Sequence, residues 1–390
     1  MNDLGDDMIN KVKNVPKIRF SGYTHAWEKR KLGEIGSVVM NKRIFKNETL
    51  EFGEIPFYKI GTFGKQADAF ISRELFEEYK DKYPYPKVGD ILISASGTLG
   101  RTVVYNGEEA YYQDSNIVWL QQNNKIVNNS FLKQFYNIVK WGVSEGSTIK
   151  RLYNSNILST KIIYPIISEQ TKIGNFFQVL DNLLALHQRK CNKLKELKKG
   201  YLQKMFPKGN EKTPEIRFSF FDVEWEINKL GNISKMYQPQ TITGDDLLES
   251  GIAVFGANSY IGYYSEWNHY NDQVTISARG EGTGTPNYVN GPAWITGNSM
   301  VLNTDNYKID KQFLYANLSA NSLRKYVTGG AQPQLTRDVL EKTPITISTY
   351  KEQIKIGNLF QTLDQQINQQ ETKLKHLKQL KQAYLQNMFV

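Results

Sequence analysis

Two polar, glycine-bearing segments hold the side chains richest in hydrogen-bonding chemistry. One is Ser94-Ala95-Ser96-Gly97-Thr98 with Arg101, and the other is Ser277-Ala278-Arg279-Gly280 running on to Thr283 and Thr285. Hydroxyls and a guanidinium on turns where glycine permits close approach suit the grasp of a polar ligand. Bond-making chemistry is not legible around them. Four histidines (His25, His187, His269, His376) and one cysteine, Cys191, have no metal-ligand spacing. No Walker loop occurs, and no Asn/Asp-Pro-Pro-Tyr/Phe tetrapeptide of an amino-methyltransferase. The carboxylates form no readable nuclease cluster. The GxGxG of Gly280–Gly284 is followed by Pro286 without a helix start, so it reads as a turn in a binding surface rather than a cofactor loop. The pattern is that of a binder.

The elements that position these segments are set by an internal repeat. Glu169–Phe206 and Glu352–Phe389 align without a gap, about half their positions identical. PKIRFSGYTHAWEKRKLGEIG from Pro16 and PEIRFSFFDVEWEINKLGNIS from Pro214 open the two halves. Met40–Lys161 and Tyr237–Thr346 between these frames differ. In the first repeat apolar residues recur at Ile173, Phe177, Leu180, Leu184, Leu194, Leu197 and Tyr201, with His187 and Cys191 between. The second gives Ile356, Phe360, Leu363, Ile367, Leu374, Leu377, Leu380 and Tyr384, with Gln370. Alternating steps of four and three are a heptad signature. The three-residue steps Leu194–Leu197 and Leu377–Leu380 predict a stammer in both copies. Two helices of equal length predict an antiparallel pair. Gly200, Ala383 and Lys208-Gly209-Asn210 read as frayed ends and a linker.

The inserts read as two versions of one mixed α/β unit. Strands are predicted at Val88–Ser94, Thr102–Tyr105 and Asn116–Leu120 with a helix at Ser130–Lys140. The second insert repeats the order at Gln273–Ser277, Ala293–Thr296, Ser299–Leu302 and Lys311–Ser319. Gly146 and Gly329 are further shared landmarks. The net charge is +10, which favours an anionic partner, most often nucleic acid. It is uneven: Pro16–Ile167 carries +6 and Pro214–Tyr350 −4, so the second insert must bind any nucleic acid through a local patch. No run of 18 apolar residues exists, no secretory h-region opens the chain, and one cysteine makes no internal disulfide. The expectation is an intracellular, cytoplasmic protein.

These features together resemble the specificity subunit of a type I restriction-modification system. The resemblance rests on the EQxKIGNxFQxLD stretches at Glu169 and Glu352, the YLQxMF endings at Tyr201 and Tyr384, and the PxIRF…WE…KLGxI openers at Pro16 and Pro214. It implies an α/β (mixed α+β) fold: two target recognition domains of similar fold joined by two long antiparallel coiled-coil helices, with pseudo-twofold symmetry. The implied division is a tail over 1–15, recognition domains over 16–167 and 214–350, a central helix and linker over 168–213, and a last helix over 351–390. The implied role is non-catalytic reading of a bipartite, asymmetric double-stranded DNA target. Two methyltransferase subunits and, through the complex, restriction subunits are the implied partners. S-adenosylmethionine would sit on the methyltransferase subunits, and ATP and Mg on the restriction subunits.

Side-chain chemistry then selects candidate DNA contacts. Arg reaches guanine bidentately, Gln reaches adenine, and Ser or Thr reaches base edges or phosphate. In the first insert they are Ser94, Ser96, Thr98, Arg101, Tyr111, Gln113, Lys150 and Arg151. In the second they are Asn258, Tyr260, Arg279, Thr283, Thr285, Gln332, Gln334 and Arg337. Gln170, Gln353, Tyr201 and Tyr384 are expected to remain for the methyltransferase subunits, and His187 with Gln370 to fix the helix register.

Overall fold

Arg19 of the first opener reaches across 150 positions to Glu169, with Nε and Nη2 donating to the two carboxylate oxygens at 2.7 and 2.8 Å. Arg217 clasps Glu352 with the same two distances. Both glutamates are fully buried, and a forked guanidinium is the donor that satisfies a buried carboxylate on both oxygens. So the opener and the repeat, separate in sequence, make one joint. The joint is closed by backbone too: Ile18 N–H donates to Asn387 O at 2.9 Å, and Ile216 N–H to Lys204 O at 2.8 Å. Trp27 and Trp225 sit buried beside them, packed on Phe131 and on Phe206 with Phe313.

The structure is a computed structural model describing residues 14–142, 151–280, 282–329 and 333–390. Two compact units emerge, Met1–Leu186 with Leu374–Val390, and His187–Lys373. The first holds, in chain order, β1 (Glu28–Lys31), β2 (Ser37–Val39), β3 (Ile55–Tyr58), β4 (Phe70–Ile71), α1 (Arg73–Lys82), β5 (Ile91–Ser94), β6 (Thr102–Val104), β7 (Tyr111–Tyr112), β8 (Ile117–Gln121), α2 (Asn129–Ile138), α3 (Asn154–Ser159), β9 (Lys161–Tyr164) and the first part of α4 (Ile167–Lys204). β2-β8-β5-β6 form an antiparallel sheet, β4-β3-β7 a second sheet in which β3 and β7 run parallel, and β1 pairs with β9. β5 is buried throughout and β8 at all but Gln121, which is why ILI and IVWL read as unbroken apolar runs. α2 begins where the Asn128 side chain accepts the Phe131 N–H at 2.8 Å.

The second unit repeats this plan. It holds the rest of α4, then β10 (Glu226–Lys229), α5 (Leu230–Ile233), β11 (Lys235–Tyr237), β12 (Ile252–Phe255), β13 (Tyr260–Tyr264), β14 (Gln273–Ser277), β15 (Pro286–Val289), β16 (Trp294–Ile295), β17 (Ser299–Asn303), α6 (Lys311–Ala320), α7 (Arg337–Lys342), β18 (Pro344–Ile347) and the first part of α8 (Tyr350–Asn387). Its sheets are β11-β17-β14-β15, β13-β12-β16 with β12 and β16 parallel, and β10-β18. The expected likeness of the two inserts is therefore one of topology, strand for strand.

α4 and α8 each run 38 residues, straight through Gly200 and Ala383. In the first unit Ile173, Phe177 and Leu180 of α4 share a core with Leu377, Tyr384 and Leu385 of α8. In the second, Leu194 and Tyr201 pack with Ile356, Phe360 and Leu363. Early α4 thus meets late α8 and the reverse, an antiparallel pairing. Leu184 is half-buried, while Ile367 and Leu374 are buried as expected. The stammer is not there. Leu197 and Leu380 are 44% and 38% exposed. The seam passes instead through Lys198 and Lys381, so its steps of four and three continue unbroken. Each lysine folds its stem into the seam and pairs with an aspartate, Lys198 with Asp364 and Lys381 with Asp181, at 2.5 Å. His187 Nδ1 meets Gln370 Oε1 at 2.7 Å, the polar seam contact expected. Gln170 and Gln353 are not free for a partner. They are 0% and 2% exposed and clamp backbone groups at Asn128, Ile126 and Pro165, and at Asp310 and Ser348.

Candidate nucleic-acid interface

The first glycine segment is a tight loop between β5 and β6. Ser94 N–H donates to Arg101 O and Gly100 N–H to Ser94 O, both at 2.9 Å. Ala95 N–H donates to Asn116 O at 2.7 Å, and Leu152 N–H to Ala95 O at 2.8 Å. One residue thus ties together the loop, the lead into β8 and the strand-like stretch before α3. Gly100 has φ +73° and lies against the Trp141 ring, two reasons for glycine there. Beside the loop, Ser96 Oγ donates to Asn116 Oδ1 at 2.7 Å, Gln113 Oε1 accepts Ile60 N–H at 3.0 Å, and Arg151 Nη2 donates to Ser115 O at 2.8 Å. The Arg101 guanidinium lies 5.4 Å from the Phe63 ring centroid and reaches Ile60 O at a long 3.4 Å. Its Nε is buried without a partner among the described residues.

The second segment makes the same junction with other side chains. Ser277 N–H donates to Thr285 O, Gly284 N–H to Ser277 O, Ala278 N–H to Asn298 O and Leu335 N–H to Ala278 O, all at 2.9–3.1 Å. Gly284 has φ +86°. Thr283 N–H donates to Gly280 O and Thr285 N–H to Gly282 O, both at 3.0 Å, turns that lead into β15, as the Pro286 argument expected. Arg279 is exposed and bridged through its backbone to Gln334. Asn258 accepts from Ser277 Oγ, and Asn287 Nδ2 reaches Ala257 O at 3.3 Å.

Most candidates gather at these two junctions, but not all face outward. Ser96, Thr98, Arg101, Gln113 and Arg151 surround the first, and Asn258, Arg279, Thr285 and Gln334 the second. Tyr260 is 48% exposed, ending the Asn258 loop. Ser94, Tyr111 and Thr283 are corrections: at 1%, 0% and 4% exposure they point inward. Ser94 Oγ and Thr283 Oγ1 hold the backbone of their own loops, and Tyr111 is core beneath β3. Arg337 lies on α7, 3.5 Å from Glu341. Lys150, Gln332 and the landmark Gly146 lie outside the described residues. The sequence reading missed Asn116, Asn287 and Arg43, the last paired with Asp114 at 2.9 Å; single polar residues carry no spacing that marks them.

Electrostatics at the second unit is dominated by burial. His269, behind β16, accepts or donates to Tyr237 Oη at 2.8 Å and meets Asn268 Oδ1 at 2.6 Å. Burial pushes its pKa down, with Asp305 opposing and Lys311 reinforcing. No group of three His, Cys, Asp or Glu side chains able to hold a metal ion occurs among the described residues. No described helix is long and apolar enough to cross a membrane.

Comparison with known proteins places these junctions in context. The type I restriction modification DNA specificity domain matches residues 25–196 and 222–379. A Haemophilus influenzae chain named as a type I restriction enzyme specificity subunit is 57% identical over 152 residues, 39% of this chain and 40% of that one. A type I restriction enzyme MjaX specificity subunit named in Methanocaldococcus jannaschii is matched at 24% over 56% of its length. The chain thus spans about half the length of these two relatives. The MjaVIII specificity subunit of the same organism is 21% identical, covering 92% of this chain and 90% of that one. The crystal structure of a type I restriction-modification S subunit from M. genitalium superposes with a TM-score of 0.72 at 18% identity, over 96% of this chain and 99% of that one, a likeness of fold.

Proposed function

The chain belongs to the type I restriction-modification DNA specificity family, and from that premise we propose that its two units each read one half of a bipartite, asymmetric DNA target. As a specificity subunit it selects DNA and is not itself the enzyme. The observation that carries the reading is the pair of junctions. Their backbone hydrogen bonds correspond one for one, while the side chains they present differ, Ser96 and Arg101 against Arg279 and Thr285. A fixed scaffold with exchanged polar side chains is what reading two different sequences requires. Arg101, Arg279 and Gln113 are the groups for base edges, with Thr98, Thr285 and Arg151 for edges or phosphate. Two methyltransferase subunits carrying S-adenosylmethionine would act at the chosen site, and restriction subunits using ATP and Mg would cut through the assembled complex.

Methylome sequencing of cells with and without the chain tests this directly. A bipartite motif should vanish with the chain. Exchanging residues 214–350 for the matching segment of a relative should alter one half-site and preserve the other. Alteration of both halves would refute one half-site per unit. Arg101→Ala should weaken DNA binding about tenfold, the loss expected for one bidentate base contact, with Arg30→Ala, an exposed arginine paired with Glu28, as a surface control.

A further inference from the structure

In the second unit a cleft of about 560 Å³ opens between the recognition strands and α8. We propose that the DNA-reading surface of this unit continues through the cleft onto the long helix, where Gln361, Gln365 and Asn368 contact bases flanking the half-site. This rests on the function proposed above and extends it to residues outside the exchanged insert.

Three observations support it. First, the cleft is continuous with the glycine junction. Asn258 and Asn287 line it, and both bond back to the junction, Asn258 by accepting from Ser277 Oγ and Asn287 by donating to it at 3.3 Å. Second, Gln361, Gln365 and Asn368 fall at helical steps of four and three, so one face of α8 turns three amides into the cleft. Among the described residues none of these amides is held by a side-chain hydrogen bond to the protein. Third, the chemistry suits bases rather than phosphates. The lining is mostly amides and tyrosines, with Phe255 and Ser259; its carboxylate, Asp364, is paired with Lys198. Among the described residues no free cation lines the cleft, which offers phosphate little, whereas an amide matches the donor and acceptor of adenine. The corresponding cleft of the first unit also carries two helix amides, Gln178 and Asn182 of α4, but it is lined by Thr102, Val103 and Val104 where the second has Asn287 and Tyr288, so the amide face runs on into the recognition strands in the second unit. That unit carries net charge −4 over Pro214–Tyr350 and gains most from uncharged contacts.

The test uses the full chain assembled with its methyltransferase. Gln365→Ala with Asn368→Ala should weaken target binding about tenfold. The slope of log K against log salt should stay unchanged, because no cation is lost. Gln366→Ala with Gln369→Ala, on exposed positions that do not line the cleft, should change nothing. Gln365→Lys should tighten binding and steepen the salt slope by about 0.9, and Gln365→Glu should loosen it. Equal effects of the two alanine pairs, or charge variants that leave affinity and slope alone, overturn the inference. If those variants are silent while exchange of 214–350 still moves the half-site, only the helix is removed from the reading surface. If the exchange moves nothing, the proposed function itself falls.

Discussion

At the scale of single residues, the buried clasp is the most exacting feature. Glu352 is fully buried and, among the described residues, its charge is met by Arg217, which is 13% exposed. Removing one partner of such a pair strands the other charge in the core. Arg217→Ala is expected to cost about 3–5 kcal/mol, read by urea unfolding. His269 gives a second residue-scale expectation. Asn268 Oδ1 already accepts from Ile295 N–H at 2.8 Å, so Nδ1 carries the proton and Nε2 accepts from Tyr237. The ring is neutral by design of its partners, and its pKa is lowered by burial. Below about pH 6.5 the unfolded chain therefore binds a proton that the folded one refuses. Stability should fall as pH drops from about 6.5 through the lowered value, and His269→Gln should flatten that dependence in thermal melts from pH 7.5 to 5.

At the scale of elements, the seam and its glycines set the long helices. Gly357 lies where α8 crosses the start of α6; a Cβ there would meet the Asp310 carboxylate that caps α6 and sit 3.0 Å from Phe313 N. Helix propensity alone favours alanine by about 1 kcal/mol. Overpacking should win, and Gly357→Ala should lose about 1–3 kcal/mol in chemical denaturation. The same holds for Gly174 against Ser130. Much of this scale was legible in sequence. Repeated heptads gave the helices because apolar steps of four and three have no other reading. The seam was misread at one point because Leu197 is apolar and Lys198 is not, although a lysine stem packs and its ammonium finds Asp364. The sheet β4-β3-β7 escaped because its strands are two to four residues long. At the junctions the sequence located the loops but could not tell Ser94, turned onto its own backbone, from Ser96, turned outward.

At the scale of the molecule, the two long helices pass without interruption from one unit into the other. Each rises about 1.5 Å per residue, and an unbroken heptad means that seven residues can be added to both without disturbing the seam. Such an insertion near His187 and Gln370 lengthens each helix by about 10 Å. DNA rises about 3.4 Å per base pair, so methylome sequencing should show the unspecified gap in the target longer by about three base pairs, its halves unchanged. An active variant with the original gap would show that the helices do not set the distance.

The backbone bond from Ile18 to Asn387 has a consequence for how the chain could be strung. At the matching place, Ile216 bonds to Lys204 and the backbone runs on from one to the other through Lys208-Gly209-Asn210. At Ile18 and Asn387 the same joint is made by stretches far apart along the chain. Connectivity is thus a ring with one gap, and packing does not dictate where the gap falls. A circular permutant cut at Gly209, with Val390 joined to Asn14 through a short flexible linker, keeps every joint and should fold with a similar Tm and the same target.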